Sequence, residues 1–133
     1  AFNKRFEPAR TPFDWLSRDA AEVDKYVADP FCGFPITVQA WVDLLDALDA
    51  MARPENQARI PKALPLLVIA GTQDPVSKGG KGLRQLLDAY QAAGLSRVES
   101  RFYENARHEL LNETNRDAVT ADIVGFLERC LEG

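Results

Sequence analysis

Val38, Trp41, Leu45 and Leu48 recur at i, i+3, i+7 and i+10, and Leu44 and Met51 widen the stripe. That spacing places them on one face of a helix, opened by Thr37 as its cap and running to about Ala52. Leu83, Leu86, Leu87 and Tyr90 form a second stripe. It predicts a helix over 79–93 with Gly94 as its stop signal. Val119, Ile123, Phe126, Leu127 and Cys130 form a third. It predicts a last helix opened by Thr114 or Asn115, with Asn112-Glu113 at its start. Leu66 to Ala70 is different: an unbroken apolar run closed by Gly71. So short a run predicts a parallel strand buried on both faces. From Arg97 to Tyr103 the chain alternates through Val98, Ser100 and Phe102, the pattern of a second strand, at a sheet edge.

The first part of the chain has less pattern. Residues 1–18 hold Pro8, Pro12 and the aromatics Phe2, Phe6, Phe13 and Trp15 without a period, which predicts an irregular segment. Ser17 is the expected cap of a short helix over about 18–28, ended by Asp29-Pro30 because proline restricts the residue before it. Phe31 to Pro35 is an apolar loop, Arg53 to Asn56 a polar break, and Ile60 to Pro65 a proline-paced connector. The chain changes character near Ile60-Pro61, so two parts are expected: a helical segment over 1–60 and an α/β lobe over 61–133. The strand–helix–strand stretch from 66 to 103 has the length of a right-handed crossover, which makes its strands parallel. In open α/β sheets, reactive groups gather beyond the carboxyl ends of the strands.

Composition narrows the function. A chain of 133 residues suits one domain, and 46% hydrophobic with 27% charged residues is globular. A net charge of −4 carries no electrostatic footprint for nucleic acid. No apolar run approaches the roughly 20 residues of a transmembrane segment. One histidine and two cysteines exclude a two-histidine or four-cysteine metal site. Cys32 and Cys130 are expected as packed or free thiols. No secretory leader pattern is present, so a cytoplasmic location is expected, and Asn112-Glu113-Thr114 is a chance match to a glycosylation pattern. Lys78-Gly79-Gly80-Lys81-Gly82 lacks the serine or threonine of a phosphate loop. It reads as flexible glycines opening a helix.

The candidate chemistry sits after the two strands. Asp74 follows Gly71 by three residues and His108 follows Tyr103 by five. Parallel strands put both loops on one edge of the sheet. A carboxylate that accepts from one imidazole nitrogen sets the tautomer and stabilises the imidazolium formed at the other. The bland alternative is equally plain: Asp-Pro is a turn pair, and a single histidine is often an ordinary surface residue. Arg107 and Glu109 either orient the histidine loop or form a solvated pair of small value. The aromatics of Phe31 to Pro35 and the Trp41 helix either line an acyl pocket or simply pack on the sheet.

Gly71-Thr72-Gln73-Asp74-Pro75-Val76 after a strand, followed by helix, strand and Tyr103-Glu104-Asn105-Ala106-Arg107-His108-Glu109, resembles the end of an α/β-hydrolase. The resemblance is to the branch of monoacylglycerol lipases and lysophospholipases, the serine aminopeptidase S33 group. Phe6 to Asp19 and Asp29 to Phe34 resemble that group's cap segment. The resemblance implies that Asp74 is the catalytic acid and His108 the general base, with no cofactor and a lipid-like ester as substrate.

One departure is large. The family's nucleophile stands in a Gly-x-Ser-x-Gly turn, and none of Ser17, Ser77, Ser96 and Ser100 has that setting. Ser77 reads as a helix cap. With the nucleophile and oxyanion segment lacking, and no initiator Met, the chain is expected to be the C-terminal portion of a longer hydrolase and inactive alone. Its open sheet edges would meet the missing N-terminal part or a second copy. The other expectation is a non-catalytic interaction or assembly module built on the same fold.

Overall fold

The computed structural model describes residues 2–132. In chain order the elements are a 3-10 turn over Phe2–Phe6, α1 (Ala20–Ala28), α2 (Val38–Ala52), α3 (Pro54–Gln57), β1 (Leu66–Gly71), α4 (Lys81–Ala92), β2 (Val98–Tyr103), a 3-10 turn over Leu110–Asn112, and α5 (Arg116–Glu132). β1 and β2 pair in parallel, from Leu66 opposite Val98 to Gly71 opposite Tyr103. Helix α4 makes the crossover. This is the parallel strand–helix–strand unit expected above, with the strands within a residue of their predicted bounds.

Three local readings change. Helix α1 begins at Ala20, and its cap is Asp19, whose Oδ1 accepts from Ala21 N at 3.0 Å, instead of Ser17. The Arg116 guanidinium, 3.0 Å from Asp19 Oδ2, holds that carboxyl below the usual range and so keeps it ionised. Ser17 is buried, donating to Asn112 O at 2.7 Å and accepting from Asp19 N at 2.9 Å. Asn112-Glu113 does not start the final helix: Asn112 closes a 3-10 turn and α5 begins at Arg116. Pro54, at the first helical position where its missing N–H costs nothing, turns the polar break into α3.

Strand β1 is only partly covered. Leu66 to Ile69 are half-buried, and Ala70 and Gly71 are buried at its carboxyl end. Two strands form the sheet among the described residues, so each has one edge without a strand partner and parts of β1 stay uncovered. The small core lies at the same carboxyl end, where Ala106, Leu110 and Val119 pack with Ile69, Tyr103 and Ile123. Tyr103 reaches from there to donate to Asp122 at 2.8 Å; burial and that bond push its hydroxyl up to about 12. The α2 stripe has the predicted register and only partial cover among the described residues: Val38 is 81% and Leu45 58% exposed, while Leu48 and Met51 face Leu86 and Tyr90 across a hollow. Among the described residues no helix is long and apolar enough to cross a membrane.

Candidate active site

The acid loop is built locally. Asp74 lies in a tight turn, its Oδ1 accepting from Val76 N at 2.9 Å and its Oδ2 from Ser77 N at 3.2 Å. This is an Asx turn, in which the side chain imitates a backbone carbonyl. Ser77 closes the loop: its hydroxyl donates to Asp74 O and accepts from Gly80 N at 3.0 Å. It therefore caps this turn and not α4, whose cap is Gly80. Gly80 has φ +81°, and a Cβ there would press on the Phe102 ring. Glycine serves that position because its left-handed backbone carries no side-chain penalty.

The two loops are stitched together by their backbones. Thr72 N donates to Tyr103 O at 3.0 Å and Gln73 N to Ala106 O at 2.9 Å, while Thr72 Oγ1 accepts from Asn105 N at 2.9 Å. The approach is so close that a Cβ on Gly71 would overlap the carbonyl oxygens of Ala106 and Arg107. Here glycine is required for space. The residues before His108 rest directly on the end of β1.

His108 Nδ1 and Asp74 Oδ1 are 3.0 Å apart. A carboxylate only accepts, so Nδ1 carries the hydrogen and Nε2 is the nitrogen left to exchange a proton. Asp74 is 6% exposed, and the His108 side chain keeps 37% exposure: an acid sealed in its loop, with a base open to a reactant. The Trp15 ring lies against the imidazole, centroids 5.1 Å apart. Beside the pair, an open hollow of about 410 Å³ is lined by Ile69, Ala70, Val76 and Leu83. A second, aromatic hollow of about 760 Å³ is lined by Phe13, Trp15, Tyr26, Phe31, Phe34 and Trp41. Trp15 lines this second hollow and also lies against the imidazole.

The histidine loop depends on distant residues. His108 N donates to Trp15 O at 3.4 Å and Glu109 N to Leu16 O at 2.8 Å. The Arg107 guanidinium donates to Asp14 O and, at 3.1 Å, to Ser17 O, and it lies 4.3 Å from the Phe6 ring centroid. Arg107 thus ties the irregular N-terminal segment to the loop, and partial burial lowers its pKa. Glu109 accepts from Asn112 Nδ2 at 2.8 Å. Neither is a simple solvated pair.

Glu113 was not legible as a site residue. It is fully buried. Its Oε1 accepts from Arg107 N at 2.7 Å and Arg18 N at 3.2 Å, and its Oε2 from Arg18 Nε at 2.8 Å and Thr114 N at 3.0 Å. Burial pushes its carboxyl up, but these bonds outweigh that and hold it below the ordinary glutamate range. Its one sequence signal is an acid directly after an apolar-polar turn, in reach of a loop arginine, and many surface turns share it.

Comparison with known proteins bears on the family and the fold. No curated protein matches the chain. Among solved structures, a thermostable carboxyl esterase from Bacillus coagulans, in complex with glycerol, superposes with a TM-score of 0.85 at 28% identity. A lipase in its open form superposes with a TM-score of 0.81, also at 28% identity. Each match covers 96% of this chain and 42% of the other, so the chain spans less than half the length of these enzymes. The family model described as serine aminopeptidase, S33 matches residues 2–115. The chain belongs to the serine aminopeptidase S33 family and has the fold of the corresponding part of an α/β-hydrolase.

Proposed function

We propose that the chain is the cap and C-terminal lobe of a serine-type ester hydrolase, with Asp74 as acid, His108 as base and the nucleophile outside residues 1–133. The observation that carries this is the 3.0 Å pair of His108 Nδ1 and Asp74 Oδ1 beyond the carboxyl ends of two parallel strands. In the whole enzyme a serine hydroxyl would attack the ester carbonyl while His108 Nε2 takes its proton. The imidazolium then returns that proton to the leaving alcohol, and Asp74 holds the tautomer and stabilises the charge between the two transfers. The division into a cap over 1–60 and a lobe over 61–133 follows from this reading. Lipid-like esters, of the lysophospholipid or monoacylglycerol kind, fit it. The aromatic hollow ends at Trp15, which touches the base, and an apolar wall beside the reacting centre shelters an acyl chain from water.

The test is an esterase assay. Purified 1–133 is expected to turn over no nitrophenyl ester. The longer protein is expected to turn it over, with loss in both His108→Ala and Asp74→Asn. Turnover by 1–133 that an organophosphonate blocks would overturn the assignment. A second reading, an interaction module, is favoured by the open sheet edge and the largely exposed α2 stripe. An active longer protein that His108→Ala leaves unchanged supports that reading.

A further inference from the structure

Three successive backbone donors around His108 are committed. Arg107 N, His108 N and Glu109 N donate to Glu113 Oε1, Trp15 O and Leu16 O. Two of these acceptors are backbone carbonyls of the N-terminal segment. The third is a buried carboxylate that also holds Arg18 of that same segment through both its amide and its guanidinium. Glu113 therefore joins the residue before His108 to the strap that supplies the other two acceptors. Serving this node with a neutral side chain is not possible. Each carboxylate oxygen accepts from two N–H groups, so an amide in either orientation would aim its NH₂ at two donors. An acceptor at both ends is required, and only an ionised acid provides it.

We infer that Glu113 is the positioning residue for His108: it fixes the loop so that Nδ1 stays on Asp74 while Nε2 faces the reactant. This rests on the acid–base reading of Asp74 and His108. Ordinary packing does not supply the restraint. The His108 side chain is more than a third exposed, and beyond Asp74 its ring has Trp15 at one side. Small displacements of a catalytic group are expensive, since a shift of about 1 Å can cost roughly 10²-fold in rate.

The experiment uses the longer, nucleophile-bearing protein with Glu113→Gln, Arg18→Met and His108→Ala, assayed well below the unfolding temperature of each. Glu113→Gln is expected to lower kcat by about 10- to 10²-fold with KM changed less than about twofold, the split for a group misplaced in the transition state. The downfield Nδ1–H proton signal of His108 is expected to weaken, and the amides of Arg107, His108 and Glu109 to exchange faster together. Arg18→Met leaves Glu113 with its backbone donors and is expected to show the same changes, smaller. If Glu113→Gln does not fold, Arg18→Met decides alone. Intact kcat, Nδ1–H signal and loop protection, in Glu113→Gln or by default in Arg18→Met, overturn the inference. If His108→Ala keeps its activity, the acid–base reading fails instead, and the two failures are distinct.

Discussion

Helix α2 and the histidine loop are opposites in pattern and in cover. The helix has a clear apolar stripe, a working cap in which Thr37 accepts from Ala40 N at 3.1 Å, and a stripe largely exposed to solvent. Residues 105–116 have no period, yet they hold Ala106 and Glu113 with no exposure and nearly every polar group paired. Patterning states what a segment can bury; whether it does depends on what stands opposite. Across from the loop stand Gly71, Trp15, Leu16 and Arg18. Across from the α2 stripe the described residues offer little.

Substitutions on the two sides should separate accordingly. Gly71→Ala is expected to have the largest effect, because its Cβ meets backbone oxygens that cannot rotate away. Overpacking costs typically about 1–3 kcal/mol, with this site expected at the upper end, and a lowered urea midpoint with an unchanged slope would measure it. Acid titration comes next. The folded pKa of Glu113 lies below its ordinary value of 4.5, so below that pH the unfolded chain binds the extra proton. Its stabilisation is complete above pH 4.5 and lost as pH falls through the folded value. Unfolding midpoints taken in steps below pH 4.5 should fall less steeply in Glu113→Gln. The smallest effect is expected on the other side. Leu45→Gln replaces an exposed residue by one of similar helix propensity and should move the stability of the chain by less than about 0.5 kcal/mol. A larger loss would mean that α2 is covered in solution.

The parallel pair and its crossover were readable because an unbroken apolar run, a stripe and an alternating run follow one another at crossover spacing. Asp74 and His108 were readable as candidates because each follows a strand by a few residues. The caps at Ser17 and Ser77 were misplaced for a common reason. Both hydroxyls have the right type for a cap but are used elsewhere. In one loop Asp19 accepts from Ala21 N, and in the other Ser77 bonds within the acid turn while Gly80 takes the cap position without a side-chain bond. Glu113 stayed hidden because its meaning lies in residues about 95 positions earlier, and no local pattern encodes such a partner. The half-covered β1 differs from the fully buried strand that its run predicts, since burial on both faces needs neighbours that two strands do not supply.

The two members of the proposed pair were made in different ways, and this bears on how each can be moved. Asp74 is aimed by amides two and three residues ahead of it. The turn over residues 74–77 holds its acid with its own amides and would keep that aim if moved as a unit, although residues 72–73 before it lean on Tyr103 and Ala106. His108 cannot travel like that. Its aim is written in residues 14–18 and 113, so a graft of the histidine loop would have to carry a second, distant segment with it.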